Sequence, residues 1–129
     1  MIIDTSALVA VLFQEADGLR YLRAIAGAQD AIISAATLVE LTMVVEGRGG
    51  EAAGREVDAF LSEMDVRIWP VTARHAQAAR QAWRRFGKGR HPAALNLGDC
   101  FSYALAVSMD DALLYKGHDF SQTDVKAAI

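Results

Sequence analysis

The chain has 129 residues, 53% of them hydrophobic and 22% charged, and a formal net charge of −3. A chain of this length buries roughly 68% of its unfolded surface, enough for a single domain over residues 1–129 without disulfides or structural zinc. The composition excludes a disordered segment, the lone Cys100 excludes an internal disulfide or a multi-cysteine metal cluster, and the acidic balance argues against a broad basic nucleic-acid surface.

Met1-Ile2-Ile3 predicts a short buried strand ending at Asp4, and Thr5-Ser6 supplies N-cap chemistry for a helix through the apolar run Ala7 to Phe13. That run is far too short to span a bilayer, and the N-terminus lacks a positive leader region, so a cytoplasmic protein with no membrane partner is expected. Leu19, Leu22 and Ile25, three apart, predict a second helix from Glu15 to Ala26. Asp30 to Ser34 reads as the second strand, followed by a helix from about Ala36 to Gly47 that the run Gly47-Arg48-Gly49-Gly50 closes in a turn. Val57, Phe60, Leu61 and Met64 form the apolar stripe of a further helix from Glu51 to Met64. Val66 to Val71 is the third strand, with Pro70 at its end where no ladder donor is needed. Thr72 caps a helix to about Phe86, and Gly87 to Pro92 is a basic loop. A helix from about Gly98 to Met109 and a strand from Ala112 to Tyr115 follow, and the tail from Thr123 to Ile129 fits either an edge strand or a last turn. Strands alternating with helices imply βαβ units, so the expected fold is α/β, a three-layer α/β/α sandwich with a central parallel sheet.

In such sheets ligands bind beyond the carboxyl ends of the strands. Four acids map to that edge: Asp4 after the first strand, Glu40 about one and a half turns into the helix after the second, Asp99 in the first turn of its helix, and Asp119 after the fourth strand. Locally, Asp4 and Asp99 also read as helix caps and Asp119 as an Asx-turn residue. Glu40 is different, because it interrupts Leu38-Val39-Glu40-Leu41, where a core helix would carry another apolar residue. A carboxylate in such a place is costly unless paired or metal-bound. Two carboxylates ~4 Å apart repel by roughly 4 kcal/mol at an effective dielectric near 20. A cluster of four therefore calls for protonation or a hard divalent cation, Mg²⁺ or Mn²⁺. Without these four acids the chain would hold 12 acids against 13 bases, a net of +1.

Asp4-Thr5-Ser6-Ala7-Leu8 after Met1-Ile2-Ile3, the mid-helix Glu40, Leu97-Gly98-Asp99-Cys100 and Lys116-Gly117-His118-Asp119-Phe120 together resemble the PIN-domain ribonucleases, and most closely the VapC toxins of VapBC toxin–antitoxin pairs. The resemblance covers the whole chain, with the motifs in family order. It implies a Mg²⁺-dependent endoribonuclease acting through metal-activated water to leave a 5′-phosphate and a 3′-hydroxyl, a homodimer, and inhibition by a cognate VapB-like antitoxin. Asp4, Glu40, Asp99 and Asp119 match its acidic quartet, with Asp4 and Asp99 as the principal metal ligands. Thr5 or Ser6 matches its supporting hydroxyl, and Asn96 the polar neighbour of the third acid. His118 departs from the Asn that many relatives carry before the last acid.

Arg80, Arg84, Arg85, Lys88 and Arg90 place five of the thirteen basic residues within eleven positions. They fit an RNA-steering patch, or simply a solvated helix face. Trp83 on the same helix fits core or a stacking platform, Leu8, Leu12 and Phe13 fit core or a dimer seam, and His75 and His91 read as surface groups. Cys100 reads as a small buried residue rather than a nucleophile. A haloacid-dehalogenase-type phosphatase would need a second Asp where Ser6 stands. A receiver domain would need paired acids near the first strand and a phosphoacceptor Asp ending a central one, and no GxxxxGK[ST] loop occurs. The remaining rival is a catalytically weak PIN-like binding module that acts through a protein partner.

Overall fold

The computed structural model describes residues 1–129. Four short strands, β1 (Ile2–Ile3), β2 (Ile32–Ser34), β3 (Arg67–Trp69) and β4 (Leu113–Leu114), form one sheet in the order β3-β2-β1-β4, every pair parallel. Five helices connect them: α1 (Thr5–Leu12), α2 (Gly18–Ala26), α3 (Ala35–Glu63), α4 (Ala73–Phe86) and α5 (Leu97–Met109). The expected α/β/α sandwich is what forms. The alternation of side chains along a strand builds its two interiors. Ile2, Ile32 and Leu113 face one way, into a core with Ala82 and Phe86 of α4 and Tyr103 and Leu105 of α5. Ile3, Ile33 and Leu114 face the other way, against Leu8 of α1, Ile25 of α2 and Leu41, Val45 and Val57 of α3. Each such fully buried aliphatic side chain contributes roughly 1.5–3 kcal/mol.

The winding reverses beside β1, whose neighbours are β2 on one side and β4 on the other. The connections through α1, α2 and α3 cover one face, and those through α4 and α5 cover the other. This is the topological switch point at which open parallel sheets leave a crevice.

Three boundaries differ from expectation. The second helix starts at Gly18 rather than Glu15, because Glu15 and Gly18 are spent on the turn that links α1 to α2. The glycine run does not end a helix at Gly47; helical hydrogen bonding continues to Gly50, whose φ of 73° and ψ of −176° break α3 into two arms. The third and fourth strands are also shorter than their apolar runs, pairing only at Arg67–Trp69 and Leu113–Leu114. The tail resolves into a 3₁₀ turn at Phe120–Gln122 and a single parallel bridge from Ala127 to Leu113.

Candidate active site

The four acids project from separate elements around the end of β1. Asp4 follows β1 directly and is only 2% exposed. Its Oδ2 accepts from the backbone N–H of Ser6 at 2.9 Å, so it is the N-cap of α1, and from the Ser6 hydroxyl at 2.6 Å. Its Oδ1 accepts from the Ser102 hydroxyl of α5 at 2.7 Å. Ser6 is fixed in turn by the backbone N–H of Lys116, just past β4, at 3.0 Å. The local reading of Asp4 as a helix cap is thus met.

Asp99 behaves in the same way. Asn96 and Asp99 form a capping box, with Asp99 Oδ2 accepting from the Asn96 N–H and Asn96 Oδ1 accepting from the Asp99 N–H, both at 2.9 Å. Asp99 is 9% exposed. Burial, reinforced by the charges of Asp4, Asp119 and Glu40, pushes its carboxyl up to about 7 against the opposing Asn96 hydrogen bond. Glu40, half-buried on α3, is also raised, chiefly by burial and further by Asp4, while the hydrogen bond it accepts from Thr5 Oγ1 opposes the shift. Gly98 makes room for it, since a Cβ there would run into the Glu40 carboxylate. Asp119 precedes the 3₁₀ turn, is exposed, and makes no side-chain capping bond.

The mutual influence of these groups shows that the fold gathers them, and no basic side chain pairs with any of the four. They do not form a closed cage: no three His, Cys, Asp or Glu side chains converge tightly enough to hold a metal in their present rotamers. The donor set nevertheless fits a hard divalent cation. All the groups are carboxylates, and Asp99 Oδ1 and Glu40 Oε2 accept no protein hydrogen bond yet are not sealed from solvent.

Two participants escape a reading of the sequence. Ser102 and Thr37 are each 1% exposed, and their hydroxyl oxygens lie 3.4 Å apart beside Asp4. Their signal was present as spacing: Ser102 is three residues after Asp99 and Thr37 three before Glu40, so each shares a helix face with an acid.

The basic segment is only partly free. Arg80, Arg84, Arg85, Lys88 and Arg90 are all exposed, and Arg85 is also engaged by Asp124 at 2.8 Å and by Tyr103. Arg90 stacks over Trp83, 4.0 Å from the ring centroid, and Arg80 bonds Gln77. Trp83 is exposed, Leu8 is core, and Leu12 and Phe13 are half-buried. His75 is buried rather than superficial, because its Nδ1 closes the capping box of α4 with Thr72. Cys100 is buried and its thiol is pushed up to about 11 by burial and by Asp99, which keeps it protonated and unreactive.

Residues 1–126 match the PIN domain family. The chain belongs to the PIN domain family. Among PIN proteins it is 50% identical over 127 residues to a ribonuclease VapC of Mycolicibacterium smegmatis, covering 98% of each chain. It is 48% identical over 125 residues to ribonuclease VapC30 of Mycobacterium tuberculosis, covering 97% of this chain and 95% of that one. In fold it is similar to Mycobacterium tuberculosis VapC20, described as a sarcin–ricin loop cleaving toxin, with a TM-score of 0.79 at 21% identity over 96% of this chain and 95% of that one. It is likewise similar to VapBC2 of Rickettsia felis, solved bound to a promoter DNA fragment, with a TM-score of 0.74 at 16% identity over 98% of this chain and 94% of that one. No helix is long and apolar enough to cross a membrane.

Proposed function

We propose that this chain, a single PIN domain over residues 1–129, is a cytoplasmic Mg²⁺-dependent endoribonuclease, the toxin of a toxin–antitoxin pair. One observation carries the reading: buried and half-buried carboxylates from three helices face one another with no cationic partner, and Asp99 is held near 7 as a result. The ribonuclease names of relatives near 50% identity support it. Asp4 and Asp99 would hold the cation, with Mn²⁺ an alternative and Glu40 and Asp119 as further ligands. When bound, the ion supplies Lewis acidity that acidifies a water and offsets phosphate charge.

The chain's own residues do the rest. Glu40 Oε2, free of protein donors, takes the proton of the attacking water, and the burial that raises its affinity for protons makes it a stronger base than an ordinary carboxylate. Thr5 holds the other oxygen of Glu40, which fixes the direction of Oε2. Asp99 is kept directed at the crevice by Asn96, and Asp4 by Ser6. The water oxygen bonds to phosphorus as its proton passes to Glu40, the P–O3′ bond breaks, and the departing O3′ takes a proton from solvent, which leaves a 5′-phosphate and a 3′-hydroxyl. Arg80, Arg84, Arg85, Lys88 and Arg90 supply phosphate attraction along α4 and the following loop, without sequence choice.

A VapB-like antitoxin and a second copy of this chain are the protein partners in this reading. The exposed apolar residues Val39, Met43 and Leu97 (59%, 71% and 77% exposed) support a protein contact beside the acids. The Rickettsia felis neighbour, a VapBC complex, supports the antitoxin. The same surface is what favours the binding-module alternative. Cleavage of RNA by the purified chain decides between them: activity is expected to vanish in chelator and return with Mg²⁺ or Mn²⁺. Equal cleavage in chelator, or none with either metal, would reject the nuclease.

A further inference from the structure

The most buried polar array in the molecule is not the acids but the hydroxyls behind them. Ser102 Oγ donates to Asp4 Oδ1 at 2.7 Å, and Thr37 Oγ1 lies 3.4 Å from Ser102 Oγ. An ionised carboxylate only accepts, so the single Ser102 proton is committed to Asp4. Ser102 Oγ is then left as the acceptor, and the Thr37 proton points to it. The two hydroxyls thus form a one-way relay from α3 through α5 to the end of β1.

The relay determines what Asp4 has left to offer. A carboxylate presents about four acceptor sites. Ser6 N–H and Ser6 Oγ take two on Oδ2, and Ser102 takes one on Oδ1. One site remains, and it is on Oδ1, the oxygen that Ser102 orients. The hydroxyls also bridge the three elements that carry Asp4, Glu40 and Asp99, because Thr37 lies one turn before Glu40 and Ser102 one turn after Asp99.

From this geometry we propose that Ser102, backed by Thr37, is a positioning residue that directs the one free acceptor of Asp4 Oδ1 toward the cation. This rests on the reading of Asp4 as a metal ligand. Groups that orient a ligand in this way typically change metal affinity 10–100-fold when removed.

The test measures Mn²⁺ binding to the purified full chain by titration calorimetry or Mn²⁺ paramagnetic resonance, beside RNA cleavage as a function of Mn²⁺ concentration. Ser102→Ala is expected to weaken Mn²⁺ binding about tenfold, with cleavage recovering at correspondingly higher Mn²⁺. Thr37→Val, which keeps the shape and removes only the backing hydroxyl, should weaken binding in the same direction by a smaller factor and serves if Ser102→Ala fails to fold. Asp4→Asn should lose binding without recovery at high metal. Unchanged Mn²⁺ affinity in Ser102→Ala or Thr37→Val, with only a lowered melting temperature, would make the relay structural and overturn the inference while leaving the nuclease intact. Wild-type Mn²⁺ affinity in Asp4→Asn would overturn the metal-site reading itself.

Discussion

Two charged clusters flank the end of β4, and they are built on opposite plans. Lys116 Nζ is held between Glu15 and Asp17, 2.7 Å from the latter, so those acids carry their counter-ion with them. Lys116 is accordingly raised above its usual range, mainly by hydrogen bonds to Asp17 and Glu15, and Asp17 is lowered by Lys116. Across the backbone, Asp4, Glu40, Asp99 and Asp119 hold no base, and burial with mutual repulsion drives Asp99 up to about 7. The first cluster is electrostatically complete. The second is not: no Lys or Arg pairs with any of its four acids.

The sharpest way to break that contrast is to remove a carboxylate from the incomplete cluster. Asp4→Asn and Asp99→Asn are each expected to lower RNA cleavage by more than about 100-fold, beyond the effect typical of a group that only supports a ligand. Both should stay folded by circular dichroism, because an amide oxygen still accepts the Ser6 or Asn96 cap bond. Gly98→Ala comes next. The added methyl displaces the Glu40 carboxylate, so cleavage should fall by about tenfold or more in steady-state assays while the melting temperature holds.

The pH dependence sharpens the comparison further. The folded-state value of Asp99, about 7, lies above its ordinary 3.8, so its contribution to stability is fully present below about pH 4 and is lost as pH rises through 7. The metal-free melting temperature should therefore contain a component that declines over that window, absent in Asp99→Asn and offset by Mg²⁺ at pH 8. Calorimetric scans with and without Mg²⁺ check it, and a profile unaffected by Asp99→Asn would count against the assignment. The smallest effect belongs to the complete cluster. Lys116→Met should lower the melting temperature only slightly, since ion pairs open to solvent on one side contribute little, and leave Mn²⁺ affinity unchanged.

Much of this was legible before any coordinates, for definite reasons. A strand buried on both faces shows as a short apolar run, and Ile2-Ile3 and Ile32-Ile33 supply one side chain to each interior. Glu40 was legible because a charge inside an apolar helix has no cheap structural use. Gly47 to Gly50 misled because glycine permits a break without locating it, and only Gly50 takes the positive φ. Ser102 and Thr37 were passed over for a different reason: their spacing from the acids was visible, but a small hydroxyl in an apolar helix reads as filler until its partner, 98 residues away for Ser102, is known. His75 was misread because its buried role is a local bond to Thr72, and spacing to other histidines carries no trace of it. Nothing in the basic run reveals that Arg85 pairs with Asp124 across the fold.

The double employment of Asp4 and Asp99 has a consequence for judging descendants of this fold. Each begins a helix as well as facing the crevice, so a lineage that abandoned chemistry altogether would still have reason to retain them. Asp119 begins no capping bond, and Glu40 is tied only to Thr5. Under the proposed function those two acids are the informative markers, because their retention in a homologue is not explained by helix capping.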